Sequence, residues 1–470
     1  MKIIYSSLSY FLLIFIACLF SSCDKTGNKL PEKPNIIILF SDDAGYADFG
    51  FTGNEKIKTP NIDQLAQNGI QFTNGYVSGP CCSPTRAGLM TGRYQQRFGH
   101  ETNPGGHGIT YSKTDPDLVG LPVAEKTIAD LLKAEGYKTG IVGKWHLGER
   151  PQFHPCNRGF DEFFGFLRGS SKYMPELPKE IVHNFDTVDC ETLPYLTDAF
   201  GDKACEFIKS NRNDPFFLYL SFNAVHTPMQ ARSDYLEQER GRFETEGRAL
   251  NSAMTRSLDD NIGKVISLVK ELGLEEKTLI FFLNDNGGAM PYNSSCNDPF
   301  AGTKGTFLDG GIHVPFVVQW KGVLAEGVKY EKPVISLDIL PTAVALAGGQ
   351  FDKDILFDGV NLMPYLSGEN KGDPHYKLFW RLIHHGAVRK GDWKLIWFDD
   401  KPPRLHNLKE DIKEQNDLSQ KYPEKTKELL QDYYKWEKGT VDPLWYSDPI
   451  WKKHDRMRYD QDYVETLRRK

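Results

Sequence analysis

Acidic and amide side chains follow two apolar runs of the sequence and together make a candidate metal site. Asp42 and Asp43 come directly after one such run, and Asp285 and Asn286 follow another. Two adjacent acids at the end of a buried strand repel each other unless a cation compensates their charge. Their ligand atoms are oxygens, which favours Ca²⁺ or Mg²⁺ over zinc. The alternative, in which Asp42 and Asp43 only cap a turn, stays open on this pattern alone.

A second candidate for chemistry is Cys82, which lies at the predicted start of a helix. Pro84 suits the first turn of a helix, so Cys82 is expected at the N-terminal end. Free backbone amides and the positive end of the helix dipole stabilise an anion at that place. Arg86 falls one turn further on and can point back to the same place. The cysteine itself is either a nucleophile of low pKa or an inert core residue.

Further polar residues follow two other apolar runs. Lys144 and His146 come after one run, and His226 comes shortly after the other. Lys304 lies in a glycine-flanked segment, which allows close approach to an anion. A single histidine or lysine is more often packed or solvated than catalytic. A catalytic role for these residues is therefore supported only if the fold brings them to one place.

The elements that must position these residues alternate between strands and helices. Continuous apolar, β-branched runs predict strands buried on both faces, at residues 35–40, 138–142, 216–222 and 278–283. Helices are predicted at residues 62–68, 128–135 and 337–347. The alternation predicts an α/β fold with a large, mostly parallel sheet sandwiched by helices. Ligands of such sheets bind beyond the carboxyl ends of the strands, so the four strand ends are expected to converge on one crevice.

The pattern changes near residue 370 and predicts a smaller C-terminal α+β subdomain with an antiparallel sheet. Residues 384–398 are predicted to form a hairpin, and residues 424–438 an amphipathic helix. The predicted domains are a signal segment, a polar tether, a catalytic α/β domain, the subdomain and a charged, aromatic tail, at residues 1–23, 24–33, 34–370, 371–445 and 446–470.

Length and charge limit the class of protein. The chain has 470 residues, of which 40% are hydrophobic, enough for a large core. It carries 57 Lys and Arg against 63 Asp and Glu, a net charge of −6. A general nucleic-acid binder is normally basic, so no nucleic-acid partner is expected. A local group of cations can still bind a small anionic substrate.

The first residues have the pattern of a targeting segment. Lys2 precedes an apolar run that ends at Phe20, and Ser21-Ser22-Cys23 follows. Small residues before a cysteine at this position are typical of a bacterial lipoprotein signal, whose cleavage would leave Cys23 as a lipidated N-terminus. We therefore expect export as a periplasmic or outer-membrane-anchored lipoprotein that contacts the membrane only through its lipid anchor. An ordinary signal peptide and an uncleaved anchor are the alternatives.

Six cysteines remain beyond the signal: Cys81, Cys82, Cys156, Cys190, Cys205 and Cys296. An exported chain could oxidise some of them to disulfides, but their pairing cannot be read from spacing. The sequence has no C-x-x-C pair, so a structural zinc site is not expected.

In its motifs the sequence resembles the type I sulfatases of the alkaline phosphatase superfamily. Cys82 begins the pattern Cys-x-Pro-x-Arg, and Thr91-Gly92-Arg93 follows it. Thr85 stands where Ser or Ala is commoner, a departure that the maturation enzyme of the family should tolerate. Further matching motifs occur in the family's order at residues 35–45, 59–63, 143–148, 284–287, 302–305, 391–395 and 405–408.

The resemblance implies a modified nucleophile and a metal. A formylglycine-generating maturation enzyme would oxidise Cys82 to Cα-formylglycine, whose hydrate is the nucleophile of the family. One Ca²⁺ per chain would be bound by Asp42, Asp43, Asp285 and Asn286. Asp285 matches the family's base, which takes a proton from the hydrate.

The resemblance also assigns roles to the basic residues. Arg86 and Lys144 would hold the hydroxyls of residue 82, and Lys304 would help them to neutralise the sulfate. His226 with Lys304 would protonate the leaving sugar oxygen. His146 would accept the proton of the second hydroxyl, so that sulfate is expelled and the aldehyde is regenerated.

The substrate is less strongly indicated. We hypothesise a sulfated galactose or N-acetylhexosamine in a polysaccharide. Sugar rings could stack on Tyr94, Phe98 and Tyr173, although aromatic residues are more often part of the core. His313 could help to set specificity, because the family often has Arg there. Loop residues that could contact the substrate are Arg97, His100, Glu101, Asn103, Arg168 and Lys172.

Two alternatives to a carbohydrate sulfatase stay open. A phosphoester or phosphonate monoester hydrolase of the same superfamily would share the formylglycine and metal framework. A non-catalytic surface lipoprotein that binds sulfated glycans would require Cys82 to stay unmodified. The complete set of acid and base residues disfavours this third reading, because a pure binder needs no such pair.

Overall fold

The computed structural model describes residues 33–104, 115, 118–177, 180–351, 355–399, 401–446 and 457–459. The predicted lipoprotein signal with Cys23 lies outside these residues, as do most of the tether and most of the tail. No helix in the described part of the chain is long and apolar enough to cross a membrane. None of the six cysteines of the described residues forms a disulfide.

The strands of the described residues are numbered in chain order. They are β1 (Asn35–Ser41), β2 (Ile70–Phe72), β3 (Gly75–Tyr76), β4 (Lys138–Lys144), β5 (Glu162–Phe166), β6 (Val182–His183), β7 (Asp186–Thr187), β8 (Phe216–Ser221), β9 (Thr278–Asn284), β10 (Phe316–Gln319), β11 (Val328–Tyr330), β12 (Val334–Ile335), β13 (Lys377–Leu382), β14 (His385–Lys390), β15 (Trp393–Phe398) and β16 (Lys401–Asn407). Ten of them form a large sheet in the order β11-β2-β10-β9-β1-β8-β4-β5-β6-β7.

The centre of this sheet is parallel, as predicted. β1 pairs in parallel with β9 on one side and with β8 on the other, and β4 continues the parallel pairing between β8 and β5. The outer strand β10 is antiparallel to β9. The four strands predicted from sequence are therefore the consecutive neighbours β9, β1, β8 and β4. Their carboxyl ends lie side by side, which confirms the predicted convergence.

Helices cover both faces of the sheet. They are α1 (Pro60–Gln67), α2 (Cys82–Thr91), α3 (Ile128–Ala134), α4 (Leu196–Ser210), α5 (Ser233–Glu239), α6 (Glu246–Glu271), α7 (Asp309–Ile312), α8 (Ile339–Leu346), α9 (Met363–Leu366) and α10 (Pro423–Glu437). Alternate residues of β1 point to opposite faces: Ile36 and Ile38 belong to one hydrophobic core, and Ile37 and Leu39 to the other. This double burial explains why the strand is apolar throughout.

The longest helix, α6, was not identified from the sequence. It has 26 residues and packs against α4 on one face of the sheet. Many of its buried positions are small or polar, among them Asn251, Ser252 and Asn261. Such residues dilute the apolar repeat by which an amphipathic helix is recognised.

The C-terminal part contains the antiparallel sheet that the sequence predicted. β14 and β15 form the predicted hairpin, with its turn at Gly391 and Asp392. β13 and β16 extend it to a sheet of four strands, in the order β13-β14-β15-β16. The helix α10 packs on this sheet.

Candidate active site

The three acids predicted to bind a metal come together at the ends of β1 and β9. Asp42, Asp43 and Asp285 are buried, and their carboxylate oxygens lie with the sulfur of Cys82 within 4.8 Å of one another. Asn286 joins this cluster, because its Nδ2 donates to Oδ1 of Asp43 at 2.8 Å. The four predicted metal ligands are therefore in one place.

The donor set fits a hard cation such as Ca²⁺. The Oδ1 atom of Asn286 is buried and has no hydrogen-bond partner among the described residues. A buried acceptor without a partner costs about 1–3 kcal/mol, and a cation bound to it would remove that cost. Three carboxylates and an amide oxygen are typical ligands of Ca²⁺ or Mg²⁺.

The backbone at Asp43 is held in an uncommon conformation. Its φ of 62° lies in the left-handed region, which residues other than glycine adopt rarely. The side-chain amide of Asn293 donates to the carbonyl oxygen of Asp43 at 2.8 Å and to that of Val225 at 3.2 Å. Asn293 thus holds the backbone of Asp43, a predicted metal ligand, in this conformation. No sequence motif indicated this role.

Three basic residues face the acids. The Nζ atom of Lys144 lies 2.7 Å from Asp42, and Nη2 of Arg86 lies 3.0 Å from Asp285. The Nζ atom of Lys304 lies 2.8 Å from Asp43. Arg86 and Lys144 have fully buried side chains, while that of Lys304 is 18% exposed. Lys304 is therefore the cation of the three that an incoming ligand can reach.

The charges of these six residues cancel. Asp42, Asp43 and Asp285 contribute −3, and the three basic residues contribute +3. A divalent cation bound to the acids would leave the site with a net charge of +2. Such a site attracts a small anion and stabilises negative charge on it.

Cys82 lies where the sequence placed it, as the first residue of α2. Its Sγ atom is 3.0 Å from Nζ of Lys304 and 3.5 Å from Oδ1 of Asp42. Burial, followed by the charge of Asp285, raises the pKa of the Cys82 thiol well above its usual value. An unmodified thiol at this position is therefore not an anionic nucleophile at neutral pH.

The two histidines flank the cluster. The Nε2 atom of His226 lies 3.5 Å from Asp43, and burial lowers the pKa of His226 to about 4. Burial, followed by the charges of Lys144 and Arg86, lowers the pKa of His146 well below its usual value. Both rings are therefore neutral at pH 7 and can accept protons.

His146 is held next to the nucleophile position by α2. The hydroxyl of Ser83 donates to the carbonyl oxygen of His146 at 2.6 Å. The Nδ1 atom of His146 is buried and has no hydrogen-bond partner among the described residues. The backbone φ of His146 is 59°, which again lies in the left-handed region. A strained backbone and a ring atom without a partner are features that a bound ligand would justify.

The three aromatic residues proposed to stack on sugars are part of the core, so that hypothesis is wrong. Tyr94 and Phe98 are 5% and 7% exposed, and Tyr173 is fully buried. The hydroxyl of Tyr173 lies 2.8 Å from the carbonyl oxygen of His226. Tyr173 therefore supports the loop that carries His226.

Most of the loop residues proposed to set specificity also point inwards. Arg97 pairs with Asp358, and Glu101 is buried against Arg381. His100 is buried and lies 2.6 Å from the hydroxyl of Ser83. Asn103 accepts a hydrogen bond from the backbone of α2 at 3.0 Å.

His313 is likewise a core residue. Its ring is 3% exposed, stacks on Phe300, and contacts Asp309 and the carbonyl oxygen of Thr73. These contacts leave it no free ring nitrogen for a substrate, so the expectation that it sets specificity is wrong.

Ser221 is a site residue that the sequence analysis missed. Its hydroxyl lies next to Nη1 of Arg86, at the carboxyl end of β8. The rule that polar strand ends converge applies to Ser221 as well, and a predicted strand that ended at Leu220 instead of residue 222 would have included Ser221 among the candidates.

Comparisons with known proteins agree with this geometry. Residues 34–349 match the family model described as Sulfatase. N-acetylgalactosamine-6-sulfatase of Mus musculus is 36% identical over 392 residues, which cover 78% of this chain and 72% of that protein. Arylsulfatase A of Bos taurus is 32% identical over 461 residues, or 86% of this chain and 87% of that protein.

Solved structures give the same family. The structure of Ps i-CgsB in complex with k-i-k-neocarrahexaose has a TM-score of 0.82 and 33% sequence identity, and the match covers 92% of this chain and 99% of that chain. The chain therefore belongs to the sulfatase family, has its alkaline phosphatase-like fold and is a sulfuric ester hydrolase.

Proposed function

We propose that this sulfatase hydrolyses sulfate monoesters on a sulfated carbohydrate that contains galactose or N-acetylhexosamine. The observation that carries the proposal is the buried cluster of three acids and three cations around Cys82. The sugar is supported by two relatives, one named for N-acetylgalactosamine 6-sulfate and one solved with an oligosaccharide.

We further propose that residue 82 is a formylglycine in the active protein and that one Ca²⁺ is bound. When present, the formylglycine hydrate supplies the attacking oxygen and Ca²⁺ supplies positive charge beside the sulfate. Asp42, Asp43, Asp285 and Asn286 would hold the ion. Cys82 is 1% exposed in the folded chain, so the formylglycine-generating enzyme must act on it before folding is complete.

The basic residues bind and orient the reacting groups. Arg86 and Lys144 are fully buried and paired with acids, which fixes their positions close to residue 82. Lys304 faces the sulfur position at 3.0 Å and is partly exposed. It can therefore contact the nucleophile and the sulfate together. Asp285 accepts the proton that residue 82 loses on attack.

The histidines move protons at the two ends of the reaction. His226 lies at the open side of the cluster and is placed to protonate the leaving sugar oxygen with Lys304. Lys304 is cationic at neutral pH and is the proton source of this pair. His146 lies on the Cys82 side and is neutral, so it can take the second proton of residue 82 when sulfate leaves.

A test measures sulfate release from defined sulfated oligosaccharides of galactose and N-acetylgalactosamine. The same preparation is tested on phosphate esters and on aryl sulfates, and with a calcium chelator followed by added Ca²⁺. Mass spectrometry of the peptide containing residue 82 reports its conversion. Release from aryl sulfates alone, or faster turnover of phosphate esters, would contradict the proposed substrate. An intact thiol in a fully active enzyme would contradict the proposed nucleophile.

We also propose that the protein is exported and anchored by a lipid on Cys23. The support is the sequence pattern around Ser21-Ser22-Cys23. Labelling of the producing cells with a radioactive fatty acid should mark the wild type and not Cys23→Ala. An unlabelled wild type recovered in a soluble fraction would contradict the anchor.

A further inference from the structure

A groove opens beside the active site and is not used by the chemistry described above. It has a volume of about 670 Å³. The residues that line it come from the loop after β4, the segment after β5, the strand β6 and the loop after β8. They include Glu149, Arg168, Lys172, Glu180 and Pro228.

The groove is built onto the loops that carry both histidines. Glu149 follows His146 by three residues, and Pro228 follows His226 by two. Gly169 packs directly on the ring of His146, because a Cβ atom at this glycine would lie 2.7 Å from Nε2 of the histidine. A ligand in the groove is therefore next to the group bound in the active site.

The backbone of Lys172 is held at this place by contacts of the next residue, Tyr173. The backbone N–H of Tyr173 donates to the side chain of Gln230 at 2.9 Å, and its hydroxyl contacts the carbonyl oxygen of His226. Lys172 itself is exposed, and no acid of the described residues pairs with it. It therefore offers an ammonium group to the groove.

Arg168 is held so that its terminal nitrogens are left for a ligand. Its Nε atom lies 2.9 Å from Glu149 and 3.5 Å from Glu180. Its Nη1 and Nη2 atoms have no partner among the described residues, and the side chain is 62% exposed. A guanidinium group that is anchored through Nε presents a planar pair of donors, which suits a carboxylate or a sulfate.

We propose that this groove is a subsite for the sugar unit next to the sulfated one, and that Arg168 and Lys172 recognise an anionic group on that unit. The proposal rests on the proposed function, because it takes a sulfated glycan as the substrate. The anionic group is a sulfate ester or the carboxylate of a uronic acid, which the same two cations can bind. The enzyme would accordingly prefer a substrate with charge on two neighbouring units.

The experiment compares three oligosaccharides that share the same sulfated terminal sugar. The neighbouring unit is unsubstituted in the first, sulfated in the second and a uronic acid in the third. The value of kcat/KM is measured for the wild type, for Arg168→Ala/Lys172→Ala and for Arg212→Ala. Arg212 is an exposed arginine in the loop before β8, at the amino ends of the parallel strands and so opposite the active site, and serves as the matched control.

We expect the wild type to prefer at least one charged substrate by about five- to tenfold, the size that partly exposed charged contacts allow. The preference should disappear in the double variant, mainly through KM, and persist in Arg212→Ala. The second and third substrates identify which anionic group is bound. An equal kcat/KM for all three substrates in the wild type, or a preference that survives in the double variant, would overturn the proposal.

Failure of the proposed function can be told apart from failure of the subsite. If none of the three substrates loses sulfate, the function is wrong, and calorimetric binding of the same oligosaccharides then tests the groove. Tighter binding of a charged oligosaccharide, lost in the double variant, would support the subsite. Binding that ignores the neighbouring charge would overturn it.

Discussion

Two clusters of charged residues in this protein differ in how far solvent reaches their side chains. The first is the active site at the carboxyl ends of β9, β1, β8 and β4. The second, which we call the bridging cluster, consists of Asp309, His313, Arg389, Lys394 and Glu414. It joins the large sheet to the C-terminal sheet, because Lys394 on β15 lies 2.9 Å from Glu414 and also pairs with Asp309 on α7.

The bridging cluster is closed. Both ring nitrogens of His313 have partners within the protein. The side chains of Lys394 and Glu414 are fully buried. Tyr76 connects the cluster to Arg389, because its hydroxyl contacts both Asp309 and that arginine. The charged groups of the bridging cluster pair with one another, and these pairs connect the two sheets.

The active site is open to solvent by comparison. Oδ1 of Asn286 and Nδ1 of His146 are buried without partners among the described residues. Lys304 and His226 have side chains that are 18% and 17% exposed. Buried charge alone therefore does not mark a functional site. The access to solvent, which Lys304 and His226 have and the bridging cluster lacks, distinguishes the active site.

The strongest loss of activity is expected from a substitution of the proposed nucleophile in the active site. Cys82→Ala removes the residue proposed as nucleophile, so sulfate release should fall by at least about a thousandfold. The free energy of unfolding should change by no more than about 1 kcal/mol. Activity assays and urea unfolding measure the two quantities.

The control is Cys205→Ala, which alters another buried cysteine on α4, away from the site. It should keep its activity. Substantial sulfate release by Cys82→Ala would refute the assigned nucleophile.

The bridging cluster should respond in the opposite way. Lys394→Met leaves Asp309 and Glu414 buried without their shared cation, which typically costs about 3–5 kcal/mol. The free energy of unfolding should fall by about that amount, while the fraction that stays folded keeps its kcat. Lys427→Met, at an exposed position of α10, should change stability by less than about 0.5 kcal/mol. Equal stability of the two variants would show that the bridging cluster is not structural.

Bound Ca²⁺ should raise the free energy of unfolding through the ligands of the active site. Ca²⁺ at about one hundred times its Kd should stabilise the wild type by about 2.7 kcal/mol, because it binds only the folded state. Asn286→Ala should lose most of this gain, since the oxygen that lacks a partner is gone. Asn370→Ala, at an exposed position, should keep it. Thermal unfolding with and without Ca²⁺ measures the effect, and an identical shift in Asn286→Ala would argue against the assigned ligand.

A weaker effect on stability is expected from the ion pair between His375 and Asp338, and it should depend on pH. Nε2 of His375 lies 2.7 Å from Asp338. Burial alone would lower the pKa of His375, but the charges of Asp338 and Asp358 outweigh it and raise that pKa. The pair therefore contributes stability that is fully present below the unfolded pKa of about 6.5 and is lost as the pH rises through the higher folded value.

Urea unfolding between pH 6 and pH 9 measures this contribution. We expect stability to fall with rising pH in the wild type by less than the loss in Lys394→Met. His375→Gln, which keeps a donor for Asp338, should show a flatter dependence. The same pH slope in both proteins would exclude His375 as its source.

The sequence was sufficient to predict the central sheet and to name the candidate site residues. Apolar runs that end in polar residues identified β1, β4, β8 and β9. The reason is physical: a strand buried on both faces must be apolar along its length, and its first polar residues mark the edge where ligands bind. Asp42, Lys144 and Asp285 could therefore be assigned to one crevice before their distances were known, whereas Cys82 and Lys304 were added through the resemblance to the type I sulfatases.

Which side chains are exposed to a ligand could be read from the tertiary structure and not from the sequence pattern. Tyr94 and Tyr173 have the composition of sugar-binding residues, yet neighbouring elements cover them, and exposure depends on contacts that are distant in sequence. Asn293 supports the site through such contacts, and no local motif indicates it. The same reason separates Lys304 from Lys394: both are lysines in the family's motifs, but packing seals one between two sheets and leaves the other open to a ligand.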